Sequence, residues 1–381
     1  MSTGRTARWR TAVEILGYLR RESRPTRSGL AGALGLSSSS ATEVTARLRR
    51  ARLISEDAVP AAGRGRPTTL LRPHPAGPLV LALELRPDEV RSALVGLDGR
   101  LGEVRRHRHG RRSPDDVLAA LASTVRGVFS DRLRAVSLAA AATVRDGRLV
   151  QASTLGWGPV EVSGLVPDPG LPLLVGNDAT LAGVAEARTG AAAGARTALH
   201  LLVDVGIGGG LVVDGRPVTG ATGAGGEVGH VPFGEASRRC PCGATGCWDL
   251  EVDGRALARH LGRDEPADPH RYARAVLARS DPDAGAAVGR VVTALARGTA
   301  GLVNLHDPDV VTLGGLAADL RAAAPDRFGT AYAAGLMTFR RDRPPPVRDA
   351  VHGDLGALQG AAEVGVDHLT TESALAAWSG A

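Results

Sequence analysis

The chain lacks lysine altogether and is poor in cysteine and aromatic residues. All 46 of its Lys-plus-Arg positions are arginine. Because alanine and glycine are also used heavily, we attribute the missing lysine to codon bias in a GC-rich genome, so arginine content alone predicts no function. The three cysteines are an odd number, which argues against a disulfide framework and fits a reducing compartment.

Long apolar runs are also missing. No apolar stretch approaches the ~18 residues that a membrane span needs, and the N-terminal stretch MSTGRTARWR lacks the apolar core of a secretory signal. These absences predict a cytoplasmic protein with no membrane partner. The length of 381 residues is enough for two or three domains.

Positive charge is concentrated at the start of the chain. Residues 1–75 hold 14 arginines against 5 acidic residues, whereas the remainder holds 32 arginines against 35. A small basic module on a nearly neutral body indicates a polyanionic partner for that module. The alternative, a solvated basic tail, requires this stretch to be unstructured, and its apolar periodicity argues otherwise.

Three helices are predicted in the basic module. Trp9, Val13 and Leu16 recur at helical spacing. A second, short helix ends at Gly35, which is typical of a helix C-terminus. The serines that follow provide a turn and an N-cap for a third helix from Ser38. Two short helices joined by such a turn form the helix-turn-helix unit.

The third helix has the composition of a DNA-recognition helix. Its predicted inner face consists of Ala41, Val44, Leu48 and Ala51. The residues assigned to DNA contact are Ser38, Ser39, Ser40, Thr42, Glu43 and Arg47. Small polar side chains at the start of such a helix suit close approach to bases and phosphates. The sequence therefore predicts that this helix enters a major groove.

A wing is predicted after the third helix. The stretch RLISEDAVPAAGRGRPTTLLRPHP has two short apolar segments around a Gly-Arg-Gly-Arg-Pro tip. Arg64 and Arg66 in that tip are predicted to reach phosphates or a narrow minor groove. The alternative is a three-helix module that binds protein, which the concentration of arginine disfavours.

The body after Pro78 reads as an α/β fold. LVLALEL and VRSALVGLDG predict a β-hairpin with LDGR as its turn, and SPDDVLAALASTVRGVF predicts a helix with a serine cap. LRAVSLAAAATV, LPLLVGND and TALHLLVDVGIGGGLVVDG predict further strands, an alternation typical of buried sheets covered by helices. The glycines of 206–210 suit either close approach to a phosphate or a tight hairpin, and the sequence leaves both open.

All three cysteines lie within reach of one histidine. His230, Cys240, Cys242 and Cys247 supply one imidazole and three thiols, the number and kind of ligands that a closed tetrahedral zinc site requires. Thiolate ligands favour zinc over magnesium or calcium, which prefer oxygen. Pro241, Gly243 and Gly246 allow a tight loop around one ion. The sequence predicts structural Zn2+, with chance clustering of free thiols as the alternative.

The segment GEVGHVPFGEASRRCPCGATGCWD resembles the signature of the ROK family (repressor, open reading frame, kinase). VGNDATLAG, NLHDPDVVTLGGL and GDLGALQGAA are similar to further segments of that family, and the resemblance runs from about Leu79 to about Asp367. It implies a two-lobed, actin-like (ribonuclease-H-like) body of the ATPase type with a sugar in its cleft. The sugar contacts it implies are Asn177, Asp178, Glu227 and His230, with Asp249 standing where the family has a glutamate.

Departures from the family pattern argue against kinase activity. Where the kinases carry a flexible Asp-x-Gly-Gly-Thr motif for ATP phosphates, this chain has Glu84 followed by Leu85, Arg86 and Pro87. Proline removes an N–H donor, and side chains block the close backbone approach that a phosphate needs. Asp178 matches the general base of the family, but a base without a positioned phosphoryl group has little to act on. We therefore expect a non-catalytic kinase homologue.

The departures on the sugar side concern the effector. Asp249 has a reach shorter by about one methylene than glutamate, AAAATV replaces a Pro-Gly turn, and Thr154 stands where asparagine is common. A regulator that has lost its ligand is therefore an alternative. The sequence leaves the identity of the sugar or sugar phosphate open.

The predicted protein is a sugar-responsive transcriptional repressor of carbohydrate genes. Its expected parts are a winged helix-turn-helix over 1–75, a first lobe over 76–195, a second lobe with zinc over 196–367 and a tail over 368–381. Paired protomers, as a homodimer or homotetramer, would bind a pseudo-palindromic operator in double-stranded DNA at the nucleoid. Whether the sugar is an inducer or a co-repressor stays open. The alternatives are a ROK sugar kinase with an added N-terminal domain and a zinc-stabilised scaffold that binds protein.

Overall fold

The computed structural model describes residues 9–22, 24–59, 68–110 and 113–380. They form two compact units. Unit 1 comprises the described residues of 1–138 and 361–381 together with Val162–Val175, and unit 2 comprises Ala139–Glu161 and Gly176–Gly360. These units do not coincide with the domains predicted from the sequence, because the residues after Gly360 pack with the N-terminal part of the chain in unit 1. The functional division at 75, 195 and 367 stays a prediction.

Unit 1 begins with three helices and a β-hairpin. The helices are α1 (Arg10–Arg21), α2 (Arg27–Ala33) and α3 (Ser38–Arg50), and the strands β1 (Ile54–Val59) and β2 (Thr68–Pro73) pair antiparallel. Side chains cap two of the helices: Thr26 accepts from the Gly29 amide and Ser37 from the Ser40 amide. The Leu71 amide donates to the Pro25 carbonyl over 2.8 Å, so the hairpin packs beside the start of α2.

The buried face of α3 differs in part from the predicted one. Ala41 and Leu48 are buried as expected, but Val44 and Ala51 are only partly buried, and Thr45 is buried instead. Threonine is tolerated there because its hydroxyl donates to the Ala41 carbonyl at 2.8 Å, which satisfies the polar atom inside the helix.

The first five-stranded sheet lies in the same part of the chain. Its strand order is β5-β4-β3-β6-β9, formed by β3 (Leu79–Leu85), β4 (Glu89–Val95), β5 (Arg105–Arg108), β6 (Leu133–Ala140) and β9 (Leu173–Asn177). Helix α4 (Pro114–Val128) begins at the predicted serine cap, Ser113. The prediction for the hairpin turn was wrong: the three residues after Leu85 connect β3 to β4, whereas LDGR follows β4.

The described C-terminal residues form two helices. They are α12 (Gly356–Leu369) and α13 (Glu372–Trp378). Arg20 of α1 pairs with Glu363 and with Asp367 on α12, the latter at 2.7 Å. The indole N–H of Trp378 donates to the Ala51 carbonyl at the end of α3. The end of the chain therefore packs against the N-terminal helices.

Unit 2 contains a second five-stranded sheet with the order β12-β11-β10-β13-β14. Strands β10 (Thr197–Asp204) and β11 (Gly206–Val213) form an antiparallel hairpin, and β10 pairs in parallel with β13 (Val310–Gly315). The remaining strands of unit 2 are β7 (Thr143–Arg145), β8 (Arg148–Gln151), β12 (Arg216–Pro217) and β14 (Val347–Asp349).

The helices of unit 2 include one long core helix. They are α5 (Asp178–Thr189), α6 (Gly254–His260), α7 (Pro269–Leu277), α8 (Pro282–His306), α9 (Leu316–Ala323), α10 (Pro325–Gly335) and α11 (Thr338–Arg341). Helix α8 is long and apolar enough to span a membrane, but most of it is buried in the core. Trp248, fully buried, donates its indole N–H to the Ala294 carbonyl of α8.

Candidate metal and sugar site

The glycines of β11 allow a helix to lie directly on the strand. A Cβ at Gly208 would lie 2.8 Å from that of Ala179, and one at Gly210 would lie 3.0 Å from the Thr180 Cα. Both neighbours belong to the first turn of α5. The tight hairpin explains Gly206, whose φ is 85°, whereas close packing of α5 explains Gly208 and Gly210, because a side chain there would displace the helix.

The amides at the start of β11 are bound by carboxylates of unit 2 itself. The Gly206 amide donates to Asp253 at 2.8 Å and the Ile207 amide donates to Asp249 at 3.0 Å. Arg255 bridges the two acids, at 2.7 Å from Asp253 and 2.9 Å from Asp249. Burial raises the pKa of Asp253, although Arg255 opposes the shift. This turn is thus closed by internal contacts.

Asp249 therefore has a structural role in addition to its predicted contact with sugar. One of its oxygens accepts from the Ile207 amide and the other pairs with Arg255. Sequence reasoning missed both Asp253 and Arg255. The only signal for them was the N-cap position of Asp253 before α6, where its side chain accepts from the Arg255 and Ala256 amides.

Asn177 and Asp178 stand at the N-terminus of α5. The Asn177 side chain caps the helix, accepting from the Thr180 amide at 3.0 Å, and donates to the Ala142 carbonyl at 3.2 Å. Asp178 accepts from the Ala179 amide at 2.8 Å. A carboxylate at a helix N-terminus is stabilised in its charged form, and a charged carboxylate is a strong acceptor for hydroxyl groups.

The predicted sugar residues gather around the first half of β11. Thr180, in the first turn of α5, donates its hydroxyl to the Gly209 carbonyl, and a Cβ at Gly226 would touch both groups. Glu227 comes next, followed by the 3₁₀ turn Val228–His230, which packs on the same strand. Asp249 contacts the strand from its beginning. All five predicted residues thus lie in unit 2 around one strand.

The predicted metal ligands form a compact cluster. The nitrogen of His230 and the sulfur atoms of Cys240, Cys242 and Cys247 all lie within 4.8 Å of one another. The Cys242 and Cys247 sulfurs are 3.7 Å apart, and the Cys240 sulfur is 3.7 Å from His230 Nδ1. Cys240 and Cys247 are buried together with Leu250.

These separations fit a tetrahedral metal site. With Zn–S bonds of about 2.3 Å and Zn–N bonds of about 2.0 Å, ligand atoms at the corners of a tetrahedron lie about 3.8 Å apart for two sulfurs and about 3.5 Å apart for sulfur and nitrogen. Burial and the neighbouring thiols raise the pKa of Cys247 to about 12. Three thiolates at this spacing therefore require a cation, and the residues fit one metal ion.

His230 offers its second nitrogen to another group. With Nδ1 directed at Cys240, Nε2 lies 3.8 Å from the nearer oxygen of Glu227. Both side chains are about one-third exposed, so the pair remains accessible from one side. A metal on Nδ1 would fix the ring and leave Nε2 for a hydroxyl of a ligand, which would connect the metal cluster to the predicted sugar residues.

In unit 1, the residues predicted to replace the ATP-phosphate motif of the kinases form ion pairs with one another and with their neighbours. Glu84 is buried and lies 3.0 Å from Arg86 and 3.7 Å from Arg91, which itself pairs with Glu89 at 2.6 Å. The Arg86 amide donates to the Glu89 carbonyl and closes the turn. Arg86 and Pro87 in this turn carry side chains and are partly buried, in contrast to the glycine turn of the family's kinase motif.

Four of the eight predicted DNA contacts are exposed on α3. Ser38, Ser39, Thr42 and Glu43 are exposed, and Ser40 is partly buried with its hydroxyl 2.8 Å from that of Ser37. The expectation that Arg47 points outward was wrong: it is partly buried, and its guanidinium lies 5.8 Å from the centre of the Trp9 ring. The predicted wing residues Arg64 and Arg66 lie outside the described residues.

Comparison with known proteins identifies this architecture. The model of the ROK family matches residues 80–367. The chain belongs to the ROK family. That match confirms the family predicted from the cysteine segment, and with it a mixed α/β body of the actin-like kinase type.

Relatives within the ROK family are sugar kinases. A glucokinase of Streptomyces coelicolor is 28% identical over 280 residues, covering 66% of this chain and 86% of the relative. A kanosamine kinase of Amycolatopsis mediterranei is 33% identical over 260 residues, covering 66% of this chain and 84% of the relative.

Among solved structures, the likeness reaches the N-terminal helices. The crystal structure of a ROK family transcriptional regulator, a homologue of the E. coli MLC protein, superposes with a TM-score of 0.75 at 22% identity. The match covers 97% of this chain and 99% of that one. At this identity the likeness establishes the fold alone, which therefore extends over nearly the whole ROK chain described here.

Proposed function

We propose that the chain is a sugar-responsive, DNA-binding transcriptional repressor of carbohydrate genes. The observation that carries this proposal is the group of three helices and a hairpin that precedes the family region. The ROK match begins at residue 80, after this group ends at Pro73. A kinase needs no such addition, whereas a repressor needs a part that reaches DNA.

We assign the N-terminal group as a winged helix-turn-helix with α3 as the recognition helix. The start of α3 presents exposed small polar side chains, including Ser38, Ser39 and Thr42, which suit close approach to base edges. Both the arginine excess and the hairpin after α3 agree with this assignment, since a wing that carries Arg64 and Arg66 would contact phosphates or a minor groove. The chain would then act at the nucleoid in the cytoplasm.

The ROK body of this repressor would bind its ligand without phosphorylating it. The buried ion pairs of Glu84 with Arg86 and Arg91 would have to separate before a phosphate could approach the backbone of that turn. Separating buried ion pairs costs several kcal/mol. Asp178 would accordingly serve as a hydrogen-bond acceptor for a sugar hydroxyl rather than as a catalytic base.

Zn2+ would stabilise the loop that carries His230. His230, Cys240, Cys242 and Cys247 would hold it, and with four protein ligands no position is left for a reactive water. The ion supplies the positive charge that keeps the three thiols deprotonated. Asn177, Asp178, Glu227, His230 and Asp249 would then bind a sugar or sugar phosphate around β11.

Pairing of two protomers is proposed to occur through unit 2. Four large apolar side chains, Phe233, Leu305, Met337 and Phe339, are 49%, 70%, 54% and 66% exposed. These side chains lie near the C-terminal end of α8. Phe233 contacts Gly301, and the Met337 amide donates to the Asn304 side chain. Exposed apolar surface of this kind is typical of protein interfaces. The pair, alone or within a tetramer, would present two copies of α3 to a palindromic operator.

The test is fluorescence anisotropy on DNA from upstream of the gene, across a salt series and with a panel of hexoses, amino sugars and their phosphates. Arginine–phosphate contacts require affinity to fall steeply with salt. Salt-steep binding that one sugar releases or strengthens supports the proposal. Binding that no sugar changes would retain the regulator and reject the sugar response. Absence of binding to that DNA and to a genomic fragment library would reject the repressor.

A ROK sugar kinase is the second candidate, because the curated relatives are glucokinase and kanosamine kinase and because Asp178 is present at the start of α5. ATP turnover with glucose and amino sugars distinguishes the two. We expect no turnover in this chain, and turnover at the rate of a purified ROK glucokinase would establish the kinase instead.

A further inference from the structure

Unit 1 contains a half-open cavity of about 430 Å³ that no part of the proposed function uses. It lies between helix α4 and the strands β3, β4 and β5. Its lining includes Leu81, Val90, Ser92, Leu94, Arg105 and His107. None of the predicted DNA, sugar or metal residues is among them. The volume lies within the range of small-molecule sites.

The strand register places apolar and polar groups on separate parts of this cavity. Leu81 pairs with Leu94, Val90 with His107, and Ser92 with Arg105. Residues two apart on a strand share a face, so Val90, Ser92 and Leu94 form one row, with His107 and Arg105 beside it on the edge strand. The cavity therefore has an apolar floor and a basic rim.

Ser92 contributes a hydroxyl to the floor of the cavity. The residue is only 7% exposed, and a hydroxyl can both donate and accept a hydrogen bond. On the helix side, Thr124 donates its hydroxyl to the Ala120 carbonyl and retains its acceptor capacity. A ligand with a polar atom could therefore form a hydrogen bond with Ser92.

The rim of the cavity carries exposed basic side chains. All four residues of β5, three arginines and His107, are exposed. Glu103 is the one acidic residue of the lining and lies 3.5 Å from Arg105, but both side chains are more than 70% exposed. An ion pair that exposed is weak and readily exchanged, so Arg105 is able to turn toward an anion.

We propose that this cavity binds a small organic anion with an apolar body, of the aromatic or short-chain carboxylate class. The apolar body lies on Leu81, Val90, Leu94 and Val128, and the carboxylate lies at the rim near Arg105 and His107. Ser92 donates its hydroxyl to a polar atom of the ligand. The site is separate from the sugar residues, all of which belong to unit 2.

Fluorine NMR of para-trifluoromethylbenzoate with the full chain tests the site. We expect its resonance to broaden on adding protein, with weaker broadening of the neutral para-trifluoromethylbenzyl alcohol. The blocking variant is Gly127→Leu, because a side chain at Gly127 has open space around it and leucine favours the helix. Gly329→Leu on α10, which also has open space, is the matched control.

Two substitutions on β5 test whether the positive charge of Arg105 contributes to binding. Arg105→Gln should weaken binding of the benzoate by roughly tenfold, the value of one charge-assisted hydrogen bond, whereas Arg108→Gln should leave it unchanged because Arg108 does not line the cavity. Binding that persists in Gly127→Leu, equal binding of the alcohol, or no broadening by this and a series of fluorinated short-chain carboxylates would overturn the proposal. None of these readouts depends on DNA or sugar, so the proposed function stands or falls separately.

Discussion

His230 belongs to the Cys/His cluster and is also one of the residues predicted to bind sugar. Its Nδ1 lies 3.7 Å from the Cys240 sulfur, and its Nε2 lies 3.8 Å from a Glu227 oxygen. A ring nitrogen bound to a cation makes the opposite N–H a stronger donor. At the scale of single residues, therefore, the proposed metal binding and the proposed sugar binding share one side chain, so loss of bound metal should also change the response to sugar.

The first prediction concerns Cys242→Ser. Removing one of four ligands should reduce bound zinc in the purified chain from about one equivalent to near zero and abolish the effect of sugar on operator binding. Elemental analysis by mass spectrometry measures the metal. Ser237→Ala, an exposed residue of the same loop, should keep its zinc. Zinc retained in Cys242→Ser would show that the three remaining ligands suffice.

A second prediction concerns His200, which is buried and hydrogen-bonded to Thr312. Burial lowers the pKa of His200 to about 4, below the value of about 6.5 in an unfolded chain. Between these values only the unfolded state takes up the proton, so stability is complete above about pH 6.5 and falls as the pH drops toward 4, by up to about 3 kcal/mol.

Chemical denaturation at pH 7 and pH 5 measures this dependence. The chain should lose stability on acidification, and His200→Gln, which cannot titrate, should lose less between the same two pH values. An equal loss in both proteins would assign the acid sensitivity to other groups.

At the scale of elements, α13 connects the end of the chain to its beginning. Trp378 donates to the Ala51 carbonyl at 2.7 Å, and the Arg134 guanidinium lies 5.2 Å from the centre of its ring. One short helix thus contacts both the end of α3 and the start of β6. Short helices have little stability of their own, so these contacts hold α13 in place.

We predict that Trp378→Ala destabilises unit 1 by about 2 kcal/mol, since it removes a partly buried aromatic side chain and a hydrogen bond. Trp378→Phe keeps the ring but not the donor and should cost about 1 kcal/mol. Thermal unfolding of both variants gives the comparison. A Trp378→Ala protein as stable as the parent would mean that α13 contributes nothing to the N-terminal helices.

Some of the helices, turns and contacts could be predicted from local sequence patterns, and others could not. The start of α3 and the metal cluster were predictable, because a serine cap and a ligand spacing are local patterns. The choice between LDGR and the residues after Leu85 for the hairpin turn was not, because both carry turn signals and strand register decides between them. The contact of Trp378 with Ala51 and that of Arg255 with Asp249 depend on tertiary packing, for which a single sequence holds no signal.

At the scale of the whole molecule, the proposed pairing depends on the apolar surface at the end of α8. Leu305→Glu places a charge at the 70% exposed position and should convert the dimer to monomers, because a buried unpaired charge costs more than one interface side chain contributes. Size-exclusion chromatography with light scattering measures the mass. Val351→Glu, 65% exposed elsewhere in unit 2, should remain dimeric.

Operator affinity gives the outcome that contradicts this pairing. Two recognition helices on one dimer bind with higher effective concentration than two separate chains, so monomers of Leu305→Glu should bind the operator at least about tenfold more weakly. A monomer with full operator affinity would contradict the palindromic arrangement. A Leu305→Glu dimer would place the interface elsewhere.

The ion pairs of Arg20 with Glu363 and Asp367 have a consequence for synthesis on the ribosome. Helix α1 is synthesised long before its partners on α12 and before Trp378. The packing of the N-terminal helices is therefore completed only after α12 and α13 have been made. A chain truncated just before α12 should keep the metal loop and lose these contacts of α1 and α3.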